Sequence, residues 1–234
     1  EVATTPFDEE SAISYEAGIK STWFGNRLLV NGVGFFTDYE DLQVTRFFQP
    51  VDAAFGEFIT ENAGAAEIFG AELELVALLN DYIEVGGNYA YLDAEFTDFQ
   101  GQPSIAADGT ITDPGDFNGN TLRLAPEHTA SVFLKFDYPL GNGSALSGKV
   151  KYRYQDDMFF DPDNNPINVS PAYSLVDVWA AYTTPNERFE VKAWVNNLTD
   201  EEYVTHGFTQ RGSRIAFGLF GEPRSYGLTL TAKW

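Results

Sequence analysis

The chain has 234 residues, with 14 Lys and Arg against 35 Asp and Glu, which gives a formal charge of −21. Such an acidic chain is a poor partner for nucleic acid, because DNA binding depends on Lys and Arg side chains that neutralise phosphates. The sequence contains no Cys, which excludes disulfides and thiol catalysis. Aromatic residues make up 15 % of the chain, a share typical of β-structure and of the aromatic girdles of membrane barrels.

Nine long strands are predicted, joined alternately by short turns and long polar loops. In chain order the strands cover Ser11–Phe24, Arg27–Phe48, Asn62–Leu79, Tyr82–Phe99, Leu122–Tyr138, Leu146–Met158, Ala172–Thr183, Arg188–Asn197 and Arg224–Trp234. The short turns are predicted at Gly25 and Asn26, Asn80 and Asp81, Pro139–Ser144 and Thr184–Glu187. The long loops are predicted at Gln49–Glu61, Gln100–Asn120, Phe159–Pro171 and Leu198–Pro223. Short turns at one end and long loops at the other are typical of outer-membrane barrels.

Side-chain character alternates with a period of two, as a strand with two different faces requires. The last strand has one apolar row, made by Tyr226, Leu228, Leu230, Ala232 and Trp234. Its other row consists of Gly227, Thr229, Thr231 and Lys233. The sequence therefore predicts an all-β fold, an antiparallel up-and-down transmembrane β-barrel portion with about nine long strands, short periplasmic turns and long extracellular loops. Apolar rows are expected to face lipid and charged rows to face a watery channel.

The strand count bears on the domain organisation. Barrels of this kind normally have an even number of strands, and about nine is odd. Residues 1–234 are therefore predicted to form the C-terminal portion of a larger barrel, or a truncated version of one. The sequence has no run of about 18 apolar residues, so no transmembrane helix is expected.

Five short motifs, in order along the chain, carry a resemblance to one family. They are Tyr15–Lys20 followed by Asn26–Leu28, Phe35–Gln43, Asn62–Ala66 continuing to Gly70 and Glu72, Asn196–Tyr203, and Gly221–Gly227. On these motifs the chain resembles the TonB-dependent receptors of Gram-negative outer membranes from Tyr15 to Trp234. Ala65 stands where the family more often has a basic residue.

The resemblance implies an active transporter in the outer membrane for a scarce nutrient, such as a ferric siderophore, cobalamin or an oligosaccharide. It implies that the TonB complex acts through an N-terminal plug, which is expected to be missing here together with the earlier strands. Neither enzymatic activity nor a cofactor is expected. Outer-membrane lipid and lipopolysaccharide are the expected surroundings. The barrel-assembly machinery is expected to read the terminal strand, with Tyr226, Leu228, Leu230 and Trp234 as the signal.

The candidate ligand contacts are charged residues of the predicted lumen face and one loop histidine: Glu72, Glu74, Lys149, Lys151, Arg153 and His206. Asp161, Asp163 and Asn165 have the spacing of the first three ligands of a calcium loop. Pro166 and Ala172 stand where an EF-hand needs Gly and Glu, so these three residues are metal candidates without a complete motif.

Two other classes stay open from the residues alone. One is a soluble all-β carbohydrate-binding module, and the other is an all-β hydrolase that uses paired carboxylates. A membrane barrel portion would require detergent, whereas a soluble module would be monodisperse in plain buffer. A hydrolase would lose its activity on a single Asp or Glu substitution.

Overall fold

A computed structural model describes residues 7–48, 57–62, 64–100, 104–105, 111–112, 115–210 and 215–234. Its strands are β1 (Ser11–Trp23), β2 (Leu28–Glu40), β3 (Gln43–Phe48), β4 (Glu57–Asn62), β5 (Ala65–Leu78), β6 (Ile83–Asp98), β7 (Ser104–Ile105), β8 (Ile111–Thr112), β9 (His128–Pro139), β10 (Ala145–Gln155), β11 (Met158–Phe159), β12 (Val169–Ser170), β13 (Tyr173–Thr183), β14 (Phe189–Asn196), β15 (Val204–Gln210), β16 (Ile215–Phe220) and β17 (Ser225–Ala232). No helix in this part of the chain has the length and apolar character needed to cross a membrane.

Nine strands form one antiparallel sheet in the order β1-β2-β5-β6-β9-β10-β13-β14-β17. The other eight pair as four two-stranded hairpins, β3–β4, β7–β8, β11–β12 and β15–β16, one in each long connection. The predicted fold class is confirmed, with nine long strands, short turns at one end and long connections at the other. We call these the turn end and the loop end. Strands β1 and β17 form the two edges of this sheet.

The first short turn, between β1 and β2, uses the left-handed backbone conformation. Phe24, Gly25 and Asn26 have φ angles of 53°, 66° and 67°, and the Arg27 amide donates to the Trp23 carbonyl at 3.1 Å. Gly and Asn adopt positive φ more readily than other residues, so this sequence favours the tight reversal predicted there.

The predicted second strand, Arg27–Phe48, is wrong as a single element. Strand β2 ends at Glu40, because Asp41 takes a φ of 55° and the Leu42 amide bonds the Gly64 carbonyl at 2.9 Å. The chain then resumes as β3 and returns as β4. The predicted loop Gln49–Glu61 therefore contains most of β4, and the third strand begins three residues later than predicted, at Ala65.

Two other predicted boundaries are wrong at the loop end. The predicted fifth strand begins at His128 instead of Leu122, because the Leu122 amide bonds the Ala94 carbonyl at 2.8 Å and Leu124 has a φ of 59°. That segment therefore folds against the end of β6. The sixth strand ends at Gln155, and Met158 belongs to the separate short strand β11.

The buried hydrophobic cluster lies at the loop end. It consists of Val44, Ala66, Phe96 and Phe99, with Tyr39, Leu42, Phe117 and Leu122 packed against it. Along the sheet itself, Phe96 and Leu175 are the only large apolar side chains of the described residues that are buried, and many of the others are exposed. The apolar rows thus do not close into a dry interior, in agreement with the prediction that they point outward.

Candidate functional site

The polar face of the nine-stranded sheet is the candidate site. Strand register brings polar side chains from six neighbouring strands into a polar row across this face: Lys20, Asn31, Glu74, Asn88, Ser131 and Arg153. The Asn31 amide nitrogen donates to Glu74 at 2.8 Å, and the Ser131 hydroxyl donates to the Asn88 amide oxygen. These bonds link side chains that are far apart in the sequence.

An open cavity of about 970 Å³ lies over the first half of this face. Its polar lining residues are Glu16, Lys20, Asn31, Glu72, Glu74, Asn88 and Thr129. Three carboxylates thus face a single Lys ammonium group in this lining. The structure places Glu72 and Glu74 on the open polar face, and their role as ligand contacts stays a prediction.

The second half of the polar face, from β9 to β14, is rich in basic side chains. They are Lys135, Lys149, Lys151, Arg153 and Lys192. Arg153 bonds the Asp177 carboxylate at 2.9 Å, and Lys135 pairs with Asp137 at 2.6 Å. The polar face therefore changes from acidic to basic across the sheet.

Two of these lysines lie over aromatic rings. The Lys149 ammonium is 3.9 Å from the ring centre of Phe133, and the Lys192 ammonium is 4.5 Å from that of Trp179. Cation–π contacts of this kind contribute about 0.5–2 kcal/mol. Lys149 was predicted from the sequence, whereas Lys192 and Trp179 were not, although the alternation of side chains within β13 and β14 carried the signal.

The remaining candidates lie at the loop end. His206 belongs to β15 in a hairpin rather than to an irregular loop, and its ring contacts the Phe160 ring at a centroid distance of 5.8 Å. Asp161 and Asp163 follow β11, and Asp161 accepts a hydrogen bond from the Asn168 amide. The nearby Asn165 side chain accepts the Ile167 amide at 3.0 Å.

The described residues contain no group of three or more His, Asp or Glu side chains arranged to hold a metal ion. A metal role for Asp161, Asp163 and Asn165 stays a prediction, as does a ligand role for His206.

The opposite face of the sheet is apolar and open. On the terminal strand, Tyr226, Leu228 and Leu230 are 77 %, 73 % and 76 % exposed, and Trp234 is fully exposed. Apolar side chains on the inner strands continue this face: Leu73, Leu75, Val132, Leu134, Val150 and Tyr152. A contiguous apolar face of this extent is what a sheet presents to lipid. The role of the terminal row as an assembly signal stays a prediction.

Asn197 joins the end of β14 to the start of β17. Its buried side chain donates to the carbonyls of Glu201 at 2.9 Å and Glu222 at 3.3 Å, and it accepts the Glu201 amide at 2.9 Å. Arg224 bonds Asp200 across the same junction at 3.0 Å. The sequence motif Asn196–Tyr203 therefore has a structural role, because its side chains hold the end of β14 against the start of β17.

An antiparallel sheet of long strands with one lipid-type face and one polar face is the wall of a transmembrane β-barrel. The sequence matches the family described as "TonB dependent receptor-like, beta-barrel" over residues 2–198. The chain belongs to this family.

Among curated relatives, the chain is 26 % identical over 211 residues to a probable TonB-dependent siderophore receptor, PiuA, of Acinetobacter baumannii. This match covers 90 % of the chain and 26 % of the relative. It is 31 % identical over 160 residues to the ferrichrome outer membrane transporter/phage receptor of Escherichia coli, covering 67 % of the chain and 19 % of that protein. The chain thus spans a fifth to a quarter of the length of these relatives.

Solved structures show the same fold. The ferric yersiniabactin uptake receptor FyuA of Yersinia pestis superposes with a TM-score of 0.76 at 22 % identity, over 97 % of this chain and 30 % of that one. The A. baumannii PiuA crystal structure gives 0.70 at 24 % identity, over 96 % of this chain and 28 % of that one. The predicted family and the predicted location in the outer membrane are confirmed.

Proposed function

We propose that this sheet is part of the wall of a TonB-dependent outer-membrane receptor that takes up an iron–siderophore-type nutrient. The observation that carries the proposal is the division of the sheet into an exposed apolar face and a charged polar face. The first face suits lipid and the second suits a hydrated lumen. Relatives named as siderophore receptor and ferrichrome transporter favour an iron chelate over cobalamin or an oligosaccharide.

The apolar face, the polar face and the terminal row of the sheet each have a partner in this function. Outer-membrane lipid and lipopolysaccharide contact the apolar face, and the nutrient binds at the loop end and passes along the polar face. The barrel-assembly machinery reads the terminal row. The TonB complex supplies energy through a plug, and further strands complete the barrel at the open edges of β1 and β17. Residues 1–234 are the C-terminal portion of that barrel, and the proposed function contains no catalytic step.

The soluble carbohydrate-binding module is the competing proposal, and the terminal row argues against it. In a soluble sandwich, side chains such as Leu228 and Leu230 would pack against a second sheet. Here both are about three-quarters exposed.

Uptake of radioactive iron tests the proposal. The complete reading frame that encodes this chain is expressed in a Gram-negative strain without ferric siderophore receptors of its own, under iron limitation. A panel of ferric hydroxamates and catecholates is supplied, and a matched strain lacks the gene for TonB. We expect uptake of at least one chelate in the first strain alone. Uptake that is equal in both strains, or absent for every chelate despite outer-membrane expression, overturns the proposal.

A further inference from the structure

A groove on the apolar face lies at the turn end of the sheet, where β6 and β10 begin and β9 ends. Its volume is about 470 Å³, within the range of about 300–1,000 Å³ that is typical of small-molecule sites. Six residues line this groove, which we call the tyrosine groove: Asn80, Tyr82, Ile83, Phe136, Tyr138 and Leu146. Four of their side chains are between 37 % and 52 % exposed, so the groove is open to the surroundings of the wall.

The strand register and one glycine give the groove its shape. Phe136 is paired with Ile83 on one side and with Gly148 on the other. A Cβ atom added to Gly148 would be 2.5 Å from the Phe136 Cε1 atom, so the Phe136 ring lies flat across β10. The ring is therefore the floor of the groove, and Ile83 and Leu146 stand on its two sides.

Three side chains with hydrogen-bond donors form the polar rim of the groove. The ring of Tyr82 contacts that of Tyr138 edge-on, at a centroid distance of 5.2 Å and an interplanar angle of 60°. The Asn80 side-chain oxygen accepts the Tyr82 amide at 2.8 Å, which leaves the Asn80 side-chain nitrogen as a donor. Within the ranges that the structure describes, neither this nitrogen nor the two tyrosine hydroxyl groups form a hydrogen bond with another protein group. The polar rim therefore has donors for the acceptor oxygens of a ligand.

The charges at the groove favour a ligand without net charge. None of the six lining residues is charged. Asp81, which lies between Asn80 and Tyr82 in the chain, pairs with Arg27 at 3.1 Å, and its side chain is 81 % exposed. An anionic headgroup therefore meets no cation among the lining residues. A headgroup with both a phosphate and an ammonium group can place its phosphate at the polar rim and direct its ammonium group to the Asp81 carboxylate.

We propose that the tyrosine groove binds one zwitterionic phospholipid. One acyl chain of the lipid lies over Phe136, between Ile83 and Leu146. The ester and phosphate oxygens accept hydrogen bonds from the polar rim. The proposal rests on the proposed function for the orientation of the wall, and it adds a discrete lipid site to the apolar face.

Continuity with the rest of the apolar face selects a membrane lipid as the occupant. Ile83 and Phe136 are followed on the same face by the paired residues Val85 and Leu134, so an acyl chain that leaves the groove stays on apolar surface. Tyrosine suits the boundary between membrane and water, because its ring is apolar and its hydroxyl group is polar. The short turns of such barrels lie on the periplasmic side. The groove therefore faces the leaflet made of phospholipid, whereas lipopolysaccharide lies in the leaflet at the loop end.

Native mass spectrometry tests the proposal on the full-length product of the reading frame that encodes this chain, purified in detergent. Phosphatidylethanolamine, phosphatidylglycerol and lipid A are titrated separately, and the fractions of protein with zero, one or more bound lipids are measured. We expect a distinct, tight first binding step for phosphatidylethanolamine alone. Tyr138→Phe, which keeps the ring and removes one hydroxyl group, should weaken that step about fivefold. Tyr82→Phe/Tyr138→Phe should weaken it further, and so should Leu146→Trp, which fills the groove and keeps both hydroxyl groups.

Tyr15→Phe is the matched control, because it removes one tyrosine hydroxyl group from the same apolar face, near the loop end and outside the groove. It should leave the first binding step unchanged within about twofold. The proposal is overturned if Tyr15→Phe weakens that step as much as Tyr138→Phe does, or if Tyr82→Phe/Tyr138→Phe binds like the unaltered protein. It is also overturned if lipid A or phosphatidylglycerol binds as tightly as phosphatidylethanolamine in the first step. Loss of TonB-dependent iron uptake with intact lipid binding would instead remove the proposed function and leave this site in place.

Discussion

The ring of Phe35 on β2 lies over Gly70 on β5 so closely that a Cβ atom added to Gly70 would be 2.3 Å from the Phe35 Cζ atom. The same arrangement recurs on the polar face where Phe133 covers Gly86 and Trp194 covers Gly227. In each pair, the glycine lets a ring lie flat against the wall. These glycines thus keep large side chains from filling the groove above the polar face.

The variant Gly70→Ala should therefore destabilise the chain by about 1–3 kcal/mol, because the ring of Phe35 must leave its place. Unfolding in detergent micelles, followed by circular dichroism, measures the change. Gly32→Ala is the control, since the nearest atom to its added Cβ is the Glu72 carbonyl oxygen at 3.8 Å. Phe35→Leu/Gly70→Ala should recover part of the loss. Equal stability of the two single Ala variants would contradict the role given to the ring.

The faces of the sheet could be predicted from the sequence, because a period of two separates the residues of a strand without any knowledge of its neighbours. Leu228 and Leu230 against Thr229, and Lys149 and Lys151 against Val150, were enough to assign them. The positions at which strands end were harder to predict from the sequence. The end of β2 depends on a bond between the Leu42 amide and the Gly64 carbonyl, whose partners are distant in the sequence.

The hairpins and the polar row were missed for a similar physical reason. Strand β4 falls in a segment that also has turn-type and acidic residues, which hide its alternation. The polar row depends on the pairing register of six strands, so Lys20 and Arg153 share a row only after every turn between them has set its offset. The face on which a residue lies can be predicted from its own strand, whereas its neighbours on that face depend on the register between strands.

The variant Asn197→Ala should cost about 2–4 kcal/mol of unfolding free energy. It removes three side-chain hydrogen bonds at a buried site and puts Ala at a φ of 49°, which Asn tolerates better. Hydrogen exchange of the Glu201 amide, which bonds the Asn197 side chain, reports the junction directly and should become faster. Asn196→Ala, at the exposed neighbouring position, should change neither quantity by more than about 0.5 kcal/mol. If hydrogen exchange of the Glu201 amide stayed slow in Asn197→Ala, the Asn197 side chain would not be what holds this junction together.

The Asp177 carboxylate makes two contacts, an ion pair with Arg153 and a hydrogen bond from the Asn197 backbone amide. Variants of Asp177 and Arg153 should separate the contributions of these contacts to stability. The carboxylate accepts from Arg153 at 2.9 Å and from the Asn197 backbone amide at 3.0 Å. Arg153→Ala should cost less than about 1 kcal/mol, because the ion pair is partly exposed. Asp177→Ala should cost about 1–3 kcal/mol, because it also leaves the Asn197 amide without its acceptor. Denaturant unfolding measures both values.

Asp177→Asn is the control for that pair of variants. It keeps an acceptor for the Asn197 amide and loses only the charge, so its stability should lie near that of Arg153→Ala. An unfolding free energy as low as that of Asp177→Ala would mean that the charge matters more than the bond to the Asn197 amide.

The assignment of the two faces can be tested with two adjacent residues of the terminal strand. Leu230 lies on the apolar face and Thr229 on the polar face, one residue apart. Leu230→Arg should destabilise the lipid-inserted state by about 2–4 kcal/mol if the residue lies near the bilayer midplane, because a charge there meets hydrocarbon. Thr229→Arg should change it by less than about 1 kcal/mol, because its side chain points to water. Reversible folding into phospholipid vesicles, followed by tryptophan fluorescence, gives both values. If Thr229→Arg blocked insertion while Leu230→Arg did not, the lipid and lumen faces would have to be exchanged.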